Sequence, residues 1–227
     1  MRVELIAHTP EPERVAAFSA MLSHSRKDKE SLWKEAALEK GREILRKVME
    51  MGHLSVIEHI SFTFYVEGIS RVCSHQLVRH RIASYTQESQ RFVEVRDIVV
   101  PPSIENKEQL RKKLIELFSI YKEVTTKGNV PLEDARYLLP QASSTRLVVT
   151  MNARSLLNFF RLRCCLKAQW EIRNLACEML RLVKKVAPTI FEKAGPPCVE
   201  GIDKCPEKDF DCPVKRGELG FGAPHEQ

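Results

Sequence analysis

Residues 59–68 read HISFTFYVEG, and the apolar side chains in this stretch recur at every second position. A repeat of two places one set of side chains on a single face of an extended chain, so the stretch predicts a half-buried β-strand. A strand of this kind must bury its apolar face against other elements. The apolar set consists of Ile60, Phe62, Phe64 and Val66.

Segments on both sides of this strand predict further strands and several helices. Strand character recurs at residues 2–8, 92–100 and 145–151. Helix formers and helical apolar spacing predict helices at residues 10–22, 32–51, 69–81, 106–128, 130–140, 152–165 and 168–188. We expect Ser31 to cap the second helix and Asn152 to cap the sixth. The sequence therefore predicts one mixed α+β domain over residues 1–195, followed by a Cys- and Pro-rich tail at 196–227.

Charge and hydropathy restrict the class of partner. The chain has 227 residues and a formal net charge of +6, from 36 Lys+Arg against 30 Asp+Glu. A modest positive excess favours anionic partners, and nucleic acid, phosphorylated small molecules and plain solubility all fit it. No run of about 18 apolar residues predicts a membrane span, and the N-terminal residues lack a signal-peptide pattern. We therefore expect a cytoplasmic protein without a membrane partner.

Seven cysteines are spread over the chain, and we expect most of them to be reduced in a cytosolic protein. They lie at positions 73, 164, 165, 177, 198, 205 and 212. The last three belong to GPPCVEGIDKCPEKDFDCP, residues 195–213, where gaps of six residues do not match the short CxxC spacing of zinc sites. Free thiols, a disulfide between Cys205 and Cys212, and a local metal clip all remain open for this tail.

The highest density of cationic side chains is in residues 71–92, RVCSHQLVRHRIASYTQESQRF. One interpretation is a solvated helix end, because cations suit a helix C-terminus. Against it, apolar strands flank the stretch, and hydroxyl and amide side chains are mixed with its arginines. Guanidinium groups beside such donors and acceptors suit a phosphorylated, ring-bearing ligand. If residues 69–81 are helical, Gln76, Arg79 and His80 share one face.

Part of this stretch, RHRIASYTQES at 79–89, resembles the RHR-x7-S signature of flavin-dependent thymidylate synthases (the ThyX family). Three further blocks resemble family blocks in the same order: GHLSVIEHISFTF at 52–64, DARYLLP at 134–140 and NARSLLNFFRLRCCLKAQWEIR at 152–173. The resemblance covers about residues 1–195 and leaves the cysteine tail outside. It implies a central antiparallel sheet flanked by helices, bound FAD, and reductive methylation of dUMP to dTMP.

The same resemblance implies roles for individual residues and further partners. The residues expected to contact FAD are His53, Ser55, Arg79, His80, Arg81, Asn152, Asn158 and Lys167. The residues expected to bind dUMP are Gln76, Arg79, Gln87, Ser89, Arg91, Arg136 and Arg163. Within this second set, Ser89, Arg91 and Arg136 would hold the phosphate, whereas Arg163 would read the pyrimidine. The methylene donor would be 5,10-methylenetetrahydrofolate and the reductant NADPH. Family active sites lie between subunits of a homotetramer, so these residues need not converge within one chain.

Three positions depart from the family pattern. Gln87 lies where some members have Glu, and Phe92 replaces a frequent Tyr. Lys167 lies where other members place a flavin-contacting His. Its ammonium group can support a reduced flavin anion but cannot stack as an imidazole does. These differences leave the contacts to the nucleotide sugar and to the flavin ring less well defined.

The chemistry of uracil methylation agrees with a flavin route. Side chains cannot deliver a hydride, so a redox cofactor or folate must supply it. A cysteine-dependent route needs an activated thiolate, but residues 79–91 contain no Cys and Cys73 has no obvious activating pattern. Ser89 has no neighbouring His to act as its base, so we interpret it as a ligand-binding residue. Arg163 is the predicted catalytic residue, because a fixed guanidinium stabilises negative charge that develops on a uracil carbonyl.

Two functions of other classes remain as alternatives. The first is a basic RNA-binding module without enzymatic activity, which the aromatic content of 7% disfavours. The second is a flavoprotein oxidase that acts on a different phosphorylated ligand. Bound flavin would separate the enzyme from the first alternative, and dUMP dependence would separate it from the second. His53, Glu58 and His59 lack HExxH spacing, so no metal site is expected there.

Overall fold

Four antiparallel strands form the sheet of the computed structural model, which describes residues 1–200, 204–207 and 212–214. The strand order is β1-β2-β4-β3, so the strand predicted at 59–68 lies at the centre of the sheet. The strands are β1 (Arg2–His8), β2 (Ser61–Ser70), β3 (Ser84–Gln87) and β4 (Ser144–Asn152). The predictions of an α+β fold and a central antiparallel sheet are confirmed.

Alternating side chains on β2 carry the core. Phe62, Phe64 and Val66 are fully buried, and the facing side chains of β4 include Val149 and Met151. Helices cover this face of the sheet, and the ring of Phe191 meets Phe62 edge-on at 5.5 Å between centroids. The period-two prediction is therefore confirmed, because the alternating face is the one that packs under the helices.

The remaining elements are helical. The α-helices are α1 (Pro12–Leu22), α2 (Lys29–Ala36), α3 (Glu39–Glu50), α4 (Arg71–Leu77), α5 (Pro102–Glu105), α6 (Glu108–Lys127), α7 (Leu132–Ala135), α8 (Ala153–Arg163) and α9 (Trp170–Val186). Three-residue and four-residue 3₁₀ segments lie at Leu54–Ile57, Arg136–Leu138 and Pro197–Val199. Within the described part of the chain, no helix is both long and apolar enough to cross a membrane.

The single helix predicted at 32–51 is wrong, because the chain makes two helices there. Leu38 is extended, with φ −87° and ψ 168°, and it separates α2 from α3. Gly41 allows the two helices to approach closely, since a Cβ atom at this position would lie 2.4 Å from the carbonyl oxygen of Ala36. The predicted cap is also wrong: Asp28 is the N-cap, and its carboxylate accepts the backbone N–H of Ser31 at 2.9 Å.

The strand predicted at 92–100 does not form, and the fourth strand comes instead from the polar residues 84–87. Only an isolated bridge pairs Ile98 with Ser143 within the described residues. Part of this stretch packs against α6 instead of pairing in the sheet. Val95 is buried, and its backbone N–H donates to the hydroxyl of Tyr121 at 3.2 Å. Val95 and Tyr121 thus belong to a second, small apolar cluster that also includes Ala135.

Candidate active site

A buried carboxylate fixes the start of the cationic stretch. Glu171 of α9 is only 2% exposed, and it accepts the backbone N–H of Ser70 at 2.6 Å and its hydroxyl at 2.5 Å. The same Ser70 hydroxyl oxygen accepts the N–H of Cys73 and so caps α4. These contacts tie the first turn of α4 to α9, and α4 leads directly into the RHR motif.

The RHR motif lies in a turn rather than on a helix. Helix α4 ends at Leu77, so the predicted helical face shared by Gln76, Arg79 and His80 is wrong. The hydroxyl of Tyr85 fixes the turn by donating to the carbonyl oxygens of Leu77 and His80, at 2.9 and 2.8 Å. Burial raises the pKa of Tyr85 to about 12, which keeps this donor protonated. The turn leaves Arg79 exposed and brings the ring of His80 towards α8.

His80 meets Arg163 although the two are far apart in sequence. The Nε atom of Arg163 donates to Nε2 of His80 at 3.1 Å, and Phe159 packs against the imidazole with its ring centroid 4.9 Å away. A guanidinium N–H is only a donor, so Nε2 must be an acceptor and the ring must be neutral, with its proton on Nδ1. Burial, and then the charge of Arg163, lowers the pKa of His80 to about 4, in agreement with a neutral ring.

The same contact uses only part of the Arg163 guanidinium group. Its Nε donates to His80, whereas its two terminal nitrogens form no hydrogen bond with the described residues and keep four N–H donors. The Arg163 side chain is half-buried and forms no ion pair with the described residues. An arginine held in this way presents a flat pair of donors to an oxygen or nitrogen acceptor.

A second cationic group faces an open cavity of about 320 Å³ beside α4. Arg71 and Arg136 both line it, together with His75, Gln90, Tyr137 and Gln141. Burial, followed by the proximity of Arg136, lowers the pKa of Arg71. Two like charges that face one cavity favour an anion between them. Arg71 was not among the predicted site residues, although the charge density of residues 71–92 already included it.

The predicted phosphate-binding residues lie close to this cavity. Arg91 bonds Glu133 at 3.1 Å, and its backbone N–H donates to the Ser89 hydroxyl at 3.3 Å. Arg136 donates from Nε to the backbone carbonyl of Glu133 at 2.9 Å. Arg91 and Arg136 therefore both contact Glu133. Gln87 lies at the end of β3 and donates to the Thr145 hydroxyl at 3.1 Å.

The predicted flavin residues line different cavities of the chain. His53 and Ser55 line a cavity of about 800 Å³ beside α1 and α3. Asn158 lines another cavity, of about 700 Å³, and Lys167 lines a third, much smaller one. Asn152 caps α8 as predicted, with its side-chain oxygen accepting the N–H of Ser155 at 2.8 Å.

The described residues near the arginines include neither a reactive thiol nor a metal site. All seven cysteines are free, and Cys73 is fully buried, which raises the pKa of its thiol. A buried thiol of this kind is a poor nucleophile. Among the described residues, no group of three or more His, Cys, Asp and Glu side chains has the arrangement of a metal site.

An antiparallel sheet covered by helices carries a neutral histidine–arginine pair and a second pair of arginines, an arrangement that suits a protein that binds an anionic ligand. The family model described as thymidylate synthase complementing protein matches residues 4–189. The chain belongs to this family, and the resemblance found in its motifs is confirmed.

Individual relatives agree with this assignment. The flavin-dependent thymidylate synthase of Geobacter sulfurreducens is 48% identical over 219 residues, which cover 93% of this chain and 94% of that protein. The enzyme of the same name from Pyrococcus furiosus is 41% identical, with coverage of 92% and 91%. A crystal structure of ThyX from Helicobacter pylori complexed with FAD and dUMP has a TM-score of 0.72 at 24% identity, covers 86% of this chain and supports the fold.

Proposed function

We propose that this chain is a flavin-dependent thymidylate synthase that reductively methylates dUMP to dTMP. In this reaction 5,10-methylenetetrahydrofolate would supply the methylene group, and NADPH would reduce the bound FAD. Family membership supports the reaction type. At the level of the site, the hydrogen bond between His80 and Arg163 carries the assignment. It joins the RHR motif to the C-terminal helical block that resembles the family.

The residues of the RHR turn fit the binding of FAD. Arg79 and Arg81 are exposed on either side of the inward-facing His80 and form no ion pairs with the described residues. Unpaired guanidinium groups in a fixed turn suit a diphosphate, for which the chain offers no Rossmann glycine motif. His53 and Ser55 line a cavity large enough for part of a dinucleotide. When bound, FAD would supply the hydride that side chains cannot.

The second cationic group fits the phosphate of dUMP. Arg71 and Arg136 face one open cavity, and Ser89 and Arg91 lie beside it. Arg91 is paired with Glu133, so a bound phosphate would compete with this carboxylate for the guanidinium. Gln76 and Gln87, on α4 and β3, would contribute amide groups to the nucleotide. We assign Arg71 to the phosphate together with Arg136.

Arg163 is the residue to which we assign the electrostatic role. A guanidinium beside the uracil ring stabilises negative charge on a carbonyl oxygen when carbon C5 becomes nucleophilic. His80 fixes the orientation of that guanidinium through Nε and adds no second positive charge, because it is neutral. Arg163 therefore keeps its terminal N–H groups for the pyrimidine, and His80 acts as its positioning residue.

We further propose that the complete site forms between subunits of a homotetramer in the cytoplasm. The predicted flavin residues line different cavities of one chain, which supports a site that a second subunit completes. Large apolar side chains near the site residues are exposed: Ile82 and Phe92 by 76% each, and Leu162 by 52%. Exposed apolar residues in a group are typical of a subunit interface.

The first test is an absorbance spectrum of the purified full-length protein, repeated anaerobically with NADPH in the presence and absence of dUMP. Flavin bands that bleach faster with dUMP are expected for this enzyme. Formation of dTMP from dUMP and methylenetetrahydrofolate would then be measured directly. A protein that stays colourless after addition of FAD contradicts the proposal, and RNA binding would be tested next. Flavin reduction that ignores dUMP would instead indicate an oxidase for another ligand.

A further inference from the structure

Five cysteines from three parts of the chain line one small cavity. Cys164 and Cys165 follow α8, Cys198 lies in the 3₁₀ segment Pro197–Val199, and Cys205 and Cys212 belong to the tail. The cavity therefore brings the tail cysteines together with the turn after α8.

Cys164 and the cysteines outside this cavity are engaged elsewhere. Cys164 borders the cavity, but its thiol forms a hydrogen bond with Cys177 on α9 and it is only 4% exposed. Cys73 lies buried at the start of α4. The four sulfurs that remain match the ligand number of a closed thiolate site.

The four thiols lie near one another and near a carboxylate. Cys205, Glu207 and Cys212 lie close to Cys165, and Cys205 and Cys165 lie close to Cys198. A divalent cation stabilises deprotonated thiols in such a group and neutralises their mutual repulsion.

One backbone contact already has the form found around metal-bound sulfur. The N–H of Lys167 donates to the sulfur of Cys165, two residues earlier in the chain. Backbone donors of this kind orient a thiolate and compensate part of its charge when it binds a metal. The contact is local, so it forms as soon as the turn after α8 has folded.

We propose that Cys165, Cys198, Cys205 and Cys212 form a tetrahedral site for a single Zn²⁺ ion. Among the described residues the four sulfurs do not stand in a ligating arrangement, so binding would require them to move closer together. Zinc would draw them together to bonds of about 2.3 Å, with release of the thiol protons. Four protein ligands leave no open position for water or substrate, so the role of the ion is structural.

The site would fasten the tail to the turn between α8 and α9. Arg163 and Lys167 flank Cys165 in this turn, so a bound ion would also hold the end of α8 that carries Arg163. The family match ends at residue 189, before the first tail cysteine, and methylation of dUMP itself does not require such an ion.

The test uses untagged full-length protein, purified without chelator and analysed for metals by mass spectrometry. About one zinc per chain is expected, either as purified or after addition of Zn²⁺ alone to the apoprotein. Cys205→Ser and Cys212→Ser should each lower the zinc content at least tenfold, whereas Cys177→Ser should retain it. Zinc should also protect four thiols from alkylation, and Co²⁺ substitution should give the intense visible bands of tetrahedral thiolate coordination.

Several results would overturn the zinc site. One is a folded wild-type protein, checked by circular dichroism, that binds less than a tenth of an equivalent of Zn²⁺. Another is a disulfide between two of the four cysteines, seen as a loss of two reactive thiols without reductant. Iron in place of zinc would also exclude it. The measurements are independent of dTMP formation, and Arg163→Ala should keep its zinc, so failure of the proposed enzyme function would be seen separately.

Discussion

Nε2 of His80 accepts a hydrogen bond of 3.1 Å from Nε of Arg163, a residue 83 positions further along the chain. The contact orients the arginine and requires a neutral imidazole, because the guanidinium has no lone pair to offer. In the proposed function, His80 positions the guanidinium group and Arg163 contacts the ligand.

Arg163→Ala should lower dTMP formation by about 10²- to 10³-fold, because it removes the positive charge at the pyrimidine. The FAD content should change far less, as judged from the flavin absorbance of the purified variant. Arg181→Ala, an exposed ion-paired arginine of α9, is the matched control and should retain activity. Equal loss of activity and FAD in Arg163→Ala would place Arg163 in cofactor binding or folding instead.

The His80–Arg163 contact predicts a pH dependence of stability. The pKa of His80 is about 4 in the folded protein, below its ordinary value of 6.5, so the unfolded chain binds more protons between these values. The free energy of unfolding should therefore rise with pH from about 4 to about 6.5 and gain nothing further from this group above that range. Urea titrations at several pH values would measure the slope, and His80→Gln should reduce it. An unchanged slope in that variant would assign the effect to other groups.

Arg71 should bind the phosphate of dUMP. A charge-assisted hydrogen bond contributes about 1.5–3 kcal/mol, so Arg71→Ala should raise the KM for dUMP by roughly tenfold to a hundredfold. The kcat should fall much less, because the group acts on the phosphate and not on the reacting carbon. Lys112→Ala, on the exposed face of α6, is the control cation. If KM is unchanged in Arg71→Ala, the cavity beside α4 does not bind the phosphate.

The buried Glu171 should matter for stability more than any surface carboxylate of the same helix. Glu171→Ala leaves the N–H and hydroxyl of Ser70 without their acceptor in the interior, at a cost of roughly 2–4 kcal/mol. Glu178→Ala, which breaks an exposed pair with Arg181, should cost less than about 1 kcal/mol. Chemical denaturation of both variants measures the difference. Similar losses would mean that Ser70 finds another partner when Glu171 is absent.

We expect FAD binding to depend on the assembly of subunits. Because the predicted flavin residues line different cavities of one chain, a monomeric variant should bind FAD weakly. Phe92→Glu places a charge on one of the exposed apolar side chains and should shift the protein towards smaller species in light scattering, together with a loss of flavin. The exposed Leu117→Glu of α6 is the control. A monomer that retains full FAD content would contradict an intersubunit site.

Local pattern was sufficient for some elements. The alternating residues of β2, the amphipathic α9 and the Asn152 cap depend on side chains close together in sequence, and all were predicted. Where tertiary packing competes with local preference, prediction failed. The apolar stretch 92–100 packs Val95 against Tyr121 instead of joining the sheet, and the extended Leu38 divides one predicted helix into two that approach closely at Gly41.

The sequence by itself determined the family, the order of its motifs and the central strand, because each is written in residues that are neighbours along the chain. Only the tertiary structure decided that His80 meets Arg163, that Arg71 faces Arg136, and that Cys165 lies with the three tail cysteines. These contacts arise from the packing of α4 and α8 on one sheet and from the position of three tail cysteines beside the turn after α8. No local spacing records them, since the even gaps between the tail cysteines do not reveal the fourth cysteine beside them.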